Sequence, residues 1–151
     1  MPPWTDRVSR LVMGAMLTAC AVGVVHADPA TPPCENDNRC QAVRNFFLRY
    51  ESPLEKVAHV FLQAADKHKL DWRLLPALAM VETTGGRHGT RNNIFGWNSG
   101  RTRFASVEAG ILFVAGRFAV SPIYAGRTAL EILQKYNPAR KSYPPRVTKY
   151  M

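Results

Sequence analysis

The sequence predicts a mainly α-helical single domain interrupted by one small extended lobe. Three observations carry that expectation. Apolar residues recur at the spacing of one helical face in the segments 54–69, 72–84 and 107–120. Helix-start and helix-stop signals bracket these segments. Between residues 85 and 104 the helical period is lost, and Gly85, Gly86, Gly89, Gly96 and Gly100 are interleaved with Phe95, Trp97 and Phe104.

The N-terminal residues read as targeting rather than fold. Arg7 and Arg10 precede an apolar run from Leu11 to Val25, and Val25-His26-Ala27 stands before Asp28 in the small-x-small pattern of signal peptidase cleavage. The run is shorter than the roughly 20 residues that a membrane span requires. Residues 1–27 are therefore expected to be a signal peptide and the product periplasmic or secreted. Leu17-Thr18-Ala19-Cys20 offers an alternative. It resembles a lipobox, in which Cys20 would carry lipid, although Ala21 to Val25 continues the apolar run where lipoproteins usually turn polar. Membrane attachment is expected only through such a lipid.

Residues 28–51 read as a disulfide-looped lead-in. Asp28 to Pro33 is proline-rich, and in an oxidising compartment Cys34 and Cys40 should pair around Glu35 to Arg39. A metal site would need a second pair of ligands nearby, and none is present. Gln41 to Tyr50, with Val43, Phe46 and Phe47, reads as one or two helical turns.

The domain proper is placed at 52–151. Ser52-Pro53-Leu54-Glu55 is a helix start with Ser as N-cap, Pro at the first position and Glu at the third. The helix it opens is expected to reach Lys69 and to bury Leu54, Val57, Ala58, Phe61 and Ala65. Asp71 is expected to cap a second helix from Trp72 to about Thr84, bent near Pro76 and stopped by Gly85-Gly86. Ile94–Trp97 and Arg101–Phe104 are expected to pair as a small β-hairpin around Asn98-Ser99-Gly100. Ser106 should cap a third helix to about Val120, which Ser121-Pro122 breaks. A fourth runs to Tyr136 and ends at Asn137-Pro138, leaving a proline-rich tail with Tyr143, Pro144, Pro145 and Val147.

The formal charge is +9, from 20 Lys and Arg against 11 Asp and Glu. Such a balance suits polyanions. An exported protein rarely meets nucleic acid, so the anionic partners expected are peptidoglycan carboxylates, teichoic acids or lipid head groups. A solvated basic surface is the alternative.

One residue breaks the apolar pattern in an informative way. Leu75, Leu78, Ala79 and Glu82 share a helical stripe, which takes the Glu82 carboxylate out of water. Its neighbours at three and four positions are Leu78, Ala79, Gly85 and Gly86, so no cation compensates it one turn away. It also occupies the last helical turn, where the dipole disfavours an anion. Both effects favour the protonated form, which is what a general acid requires. The competing expectation is a carboxylate paired across the fold with Arg73, Arg87 or Arg91.

A helix ending Ala-Met-Val-Glu-Thr-Thr-Gly-Gly, with Asn92-Asn93-Ile94-Phe95-Gly96-Trp97 shortly after it, resembles the bacterial glucosaminidase family. That family belongs to the lysozyme-like superfamily, which also includes the soluble lytic transglycosylases. The resemblance runs from about Leu54 to Val147. It implies a lysozyme-like helical domain with a small β-hairpin lobe, acting as a glycosidase on the glycan strands of peptidoglycan. Glu82 would be the acid, the protein a monomer, and no metal or organic cofactor would be needed. Tyr136-Asn137 is similar to the Tyr-Asn pair lining the cleft in many lytic transglycosylases, but Pro138 stands where those enzymes often have Ala-Gly.

The expected substrate-binding residues are read from sugar chemistry, which offers C–H faces to aromatic rings and hydroxyls to amides. They are Asn92, Asn93, Phe95, Trp97 and Asn98, to which the lytic-transglycosylase resemblance adds Tyr136. For Phe95 a core position is the competing reading, and for the two asparagines local turn bonding. Tyr124 and Tyr143 are further candidates, and Arg87, Arg91, Arg101 and Arg103 could attract peptide-stem carboxylates.

A second catalytic carboxylate is missing. An inverting hydrolase needs one at about 6.5–9.5 Å from the acid and a retaining enzyme one at about 5–5.5 Å. Beyond Glu82 only Glu108 and Glu131 remain, the first suited to a helix N-terminus and the second to a surface pair with Lys135. Substrate-supplied nucleophiles, as in lytic transglycosylation or N-acetyl assistance, fit that absence. So does a different class of function, a non-catalytic peptidoglycan-binding protein that keeps the groove. A cationic membrane-active protein is the third.

Overall fold

A computed structural model describes residues 34–151; the expected signal peptide, Cys20 and the segment 28–33 lie outside the described residues. Among the described residues the elements are α1 (Asn38–Arg49), a 3₁₀ turn (Pro53–Val57), α2 (Ala58–His68), α3 (Leu74–Thr83), α4 (Val107–Val120), α5 (Ala129–Tyr136) and α6 (Tyr143–Thr148). The fold is mainly α, as the sequence predicts.

α1 is longer than its apolar pattern suggests, because Asp37 caps it by accepting from the Arg39 and Cys40 amides. The Cys34–Cys40 disulfide spans this helix start. Cys40, Val43 and Phe47 enter the same core as the later helices. Ser52 caps the next segment as expected, accepting from the Leu54 amide. The chain makes a 3₁₀ turn there before becoming α-helical at Ala58. α2 ends with Lys69 in the left-handed region, and the Leu70 N–H returns to the Ala65 carbonyl at 2.9 Å, closing a Schellman-type turn.

α3 is buried continuously from Leu74 to Met80, as befits a helix apolar on all sides. Its start differs from expectation. Asp71 binds the backbone and guanidinium of Arg73, so 72–73 form a turn and the helix opens two residues later than predicted. α4 packs chiefly against α2, while α6 packs against both α3 and α5.

Two further expectations are corrected. The proline-rich tail is a helix, α6, because Pro144 and Pro145 occupy first-turn positions whose N–H groups have no helical acceptor in any case. The β-hairpin does not form: among the described residues the only β pairing is an isolated bridge between Thr90 and Asn93. Gly96, Asn98, Ser99 and Gly100 all hold positive φ, which no extended strand can accommodate. The segment instead closes in turns, with the Gly100 N–H donating to the Gly96 carbonyl at 2.9 Å.

Candidate active site

α3 carries Glu82 out of the core in its last turn, and three contacts fix the backbone beyond it. The buried Thr83 hydroxyl donates to the Ile94 carbonyl at 2.7 Å and accepts from the Gly86 N–H at 3.0 Å. Ser52 Oγ donates to the Gly85 carbonyl at 2.6 Å. Gly85 holds φ +65°, and a Cβ there would lie 2.8 Å from Ser52 Oγ, so the close crossing of the two segments requires glycine. The Thr-Thr-Gly-Gly step thus fastens the helix end both to the loop carrying Gly96 and to the start of the domain.

The Glu82 carboxylate sits between two structures remote in sequence. Oε1 accepts a hydrogen bond from the Tyr143 hydroxyl at the start of α6. Oε2 faces Gly96, where a Cβ would approach to 3.3 Å at a φ of +61°. The cleft beside it, about 520 Å³, is lined by Glu82, Gly96, Trp97, Asn98, Ser99, Thr102, Tyr136 and Asn137. Tyr136 donates to the Phe95 carbonyl at 2.5 Å. Its ring stacks on Tyr143 at 16° and 6.1 Å, and Trp97 leans on it from 6.1 Å. Phe113 supports Trp97 edge-on at 5.7 Å.

Burial pushes the Glu82 carboxyl above its ordinary range. The Tyr143 hydrogen bond and the positive charges of Arg146 and Arg140 oppose that shift without cancelling it. Among the described residues Glu82 forms no ion pair. Arg73 is engaged by Asp71, while Arg87 and Arg91 turn to the carbonyls of Thr84 and Arg101. The cross-fold pair that would have kept Glu82 ionised is absent from the described residues. Burial also raises the hydroxyls of Tyr136 and Tyr143, which stay protonated and act as donors.

Of the residues expected to meet substrate, Trp97, Asn98 and Tyr136 share the cleft with Glu82. Asn92, Asn93 and Phe95 do not line it. Asn93 is buried, its amide donating to the Trp97 and Thr102 carbonyls at 3.0 and 3.1 Å while its oxygen accepts from the Trp97 N–H at 2.9 Å. It is the frame of the loop, with each of its polar atoms engaged by backbone. Asn92 donates to the Phe104 and Ala105 carbonyls, and beside it opens a separate groove that also takes in Leu54 and Glu108. Phe95 is fully buried.

Tyr124 packs against Phe118, 5.0 Å between ring centroids. Asn137 lines the cleft beside Tyr136, and Ser99 and Thr102 join the lining beyond the residues expected from the sequence. Hydroxyl side chains in a glycine-rich loop are the available signal for Ser99 and Thr102. No second acid lines the cleft among the described residues. Glu108 is held at the α4 N-terminus by Ser106, and Glu131 completes a capping box with Thr128 instead of pairing with Lys135. No three His, Cys, Asp or Glu side chains converge as metal ligands among the described residues.

Chemically, the site offers one half-buried carboxyl, an aromatic wall and several neutral hydrogen-bonding groups. No protein-family model matches the chain, and no curated protein matches it.

Proposed function

We propose that the chain is a cell-envelope enzyme that cleaves peptidoglycan glycan strands, a glucosaminidase-like or lytic-transglycosylase-like glycosidase of lysozyme-like fold with Glu82 as general acid. One observation carries the reading: a half-buried carboxyl, whose hold on its proton burial strengthens, opens onto a cleft walled by Trp97 and Tyr136. Protonating a glycosidic oxygen demands such a group, and sugar rings stack on such walls. The lining holds no second acid among the described residues, which favours a nucleophile supplied by the substrate. A muramoyl 6-hydroxyl attacking its own anomeric carbon would leave a 1,6-anhydro end: the departing sugar oxygen would take the Glu82 proton, and the carboxylate so formed would accept the proton that the 6-hydroxyl gives up.

The same single-acid lining favours a second reading, a groove that binds strands without turning them over. Digestion of purified cell wall with wild type beside Glu82→Gln, with products read by mass spectrometry, separates the two. The enzyme reading expects anhydro-muramic or reducing glucosamine ends from wild type and none from the variant. Equal products from both proteins remove Glu82 from its role. Wild type that sediments with sacculi yet yields no new ends leaves only binding.

A further inference from the structure

Asn137 lines more than the cleft. That residue is also a wall of a second groove, about 400 Å³, formed with Leu130, Gln134, Pro138, Arg140, Lys141 and Pro144. The segment 137–143 thus runs from a cleft residue to the hydrogen-bond partner of Glu82, and its turns are closed by the Arg140 N–H on the Asn137 carbonyl and the Tyr143 N–H on the Arg140 carbonyl. The groove lining contains two cations and no acid. Arg140 and Lys141 are exposed, and neither takes part in an ion pair among the described residues.

We infer that this groove is a subsite for the carboxylate-bearing peptide of a substituted glycan strand, so that the protein selects peptide-bearing strands over bare ones. The inference rests on the proposed glycan-cleaving role of the adjoining cleft and names the substrate within it. The groove has the size of a small-ligand pocket. Two cations without an ion-pair partner among the described residues, beside a neutral wall, match a flexible anionic branch. Strands stripped of peptide keep only the short lactyl carboxylate close to the muramic acid ring, and N-acetylglucosamine polymers carry no charge, so neither extends a branch into the groove. Arg140 also contributes to the field on Glu82, but that influence acts on every substrate alike and cancels in a ratio of rates.

The test compares peptide-bearing strands with the same strands stripped by an amidase, using wild type and an Arg140→Gln/Lys141→Gln variant. The wild-type rate ratio is expected to be tenfold or more in favour of peptide-bearing strands and to fall close to one in the variant. Binding is read separately in a Glu82→Gln background, by sedimentation with each kind of strand in low and high salt. A wild-type ratio near one, or a preference that survives loss of both cations, overturns the subsite. Preferential, salt-sensitive binding without cleavage by wild type would sink the enzymatic reading and leave the subsite standing. Anionic wall polymer lacking peptide serves as a control, and if it competes as well as peptide-bearing strands the peptide assignment fails.

Discussion

Asn93→Ala tests whether the second asparagine of the Asn-Asn-Ile-Phe-Gly-Trp run holds substrate or holds the loop. In the folded chain its amide makes three hydrogen bonds, of 2.9, 3.0 and 3.1 Å, to the backbone of Trp97 and Thr102, and the residue is 2 % exposed. Each such bond contributes about 1 kcal/mol net, and a buried partner left unpaired costs about 1–3 kcal/mol. On those values truncation should destabilise the protein by about 3 kcal/mol. Against a urea slope of about 1–3 kcal/mol/M, the midpoint should fall by roughly 1–3 M.

Asn93→Asp sharpens the test. Its second oxygen would replace the amide nitrogen and face the two carbonyls. A carboxyl buried among acceptors favours its proton in the folded state, so this variant should regain stability as pH falls from about 7 to about 4. Urea titrations of both variants, read out by tryptophan fluorescence, give the answer. A loss below about 1 kcal/mol for Asn93→Ala, accompanied by weakened glycan binding, would refute the framing role and return Asn93 to substrate contact.

Glu82→Gln should lower cleavage by about 10²–10⁴-fold. Because burial raises the Glu82 carboxyl in the folded state, the wild type loses stability as pH rises through that value; the variant should therefore melt higher than wild type at about pH 7, with the difference closing in acid, as differential scanning fluorimetry across pH would record. Gly96→Ala places a side chain at φ +61° and 3.3 Å from Glu82 Oε2. It should cost about 1–2 kcal/mol in backbone strain and reduce cleavage further than that stability loss explains, a result checked by chemical denaturation beside zymography. Replacing both Cys34 and Cys40 by Ala opens a disulfide of sequence separation 6 and should lower stability by about 2 kcal/mol on the loop-entropy relation. An unchanged melting temperature under oxidising conditions would contradict it.

Much of the helical skeleton is legible locally. Ser52 and Ser106 declare helix starts, and each accepts the expected backbone N–H. Glu82 is visible for the same reason, as a charge on an apolar stripe. The misreadings arise where a local signal has a distant resolution. Glycine and aromatic alternation over 94–104 looks like a hairpin until the Asn93 amide takes the backbone groups of Trp97 and Thr102. Consecutive prolines at 144 and 145 look like a tail, although a first helical turn tolerates both.

From sequence alone come the mainly α class, the Ser52 and Ser106 caps, the Cys34–Cys40 pair and the oddity of Glu82 on an apolar stripe, all set by neighbours a few residues apart. Tertiary structure decided the company Glu82 keeps. Tyr143 reaches it across 61 residues, and Tyr136 reaches the Phe95 carbonyl across 41. Helical periodicity says which side of a helix is buried; it carries no information about which remote side chain is buried against it. That choice is made by the packing of the whole core.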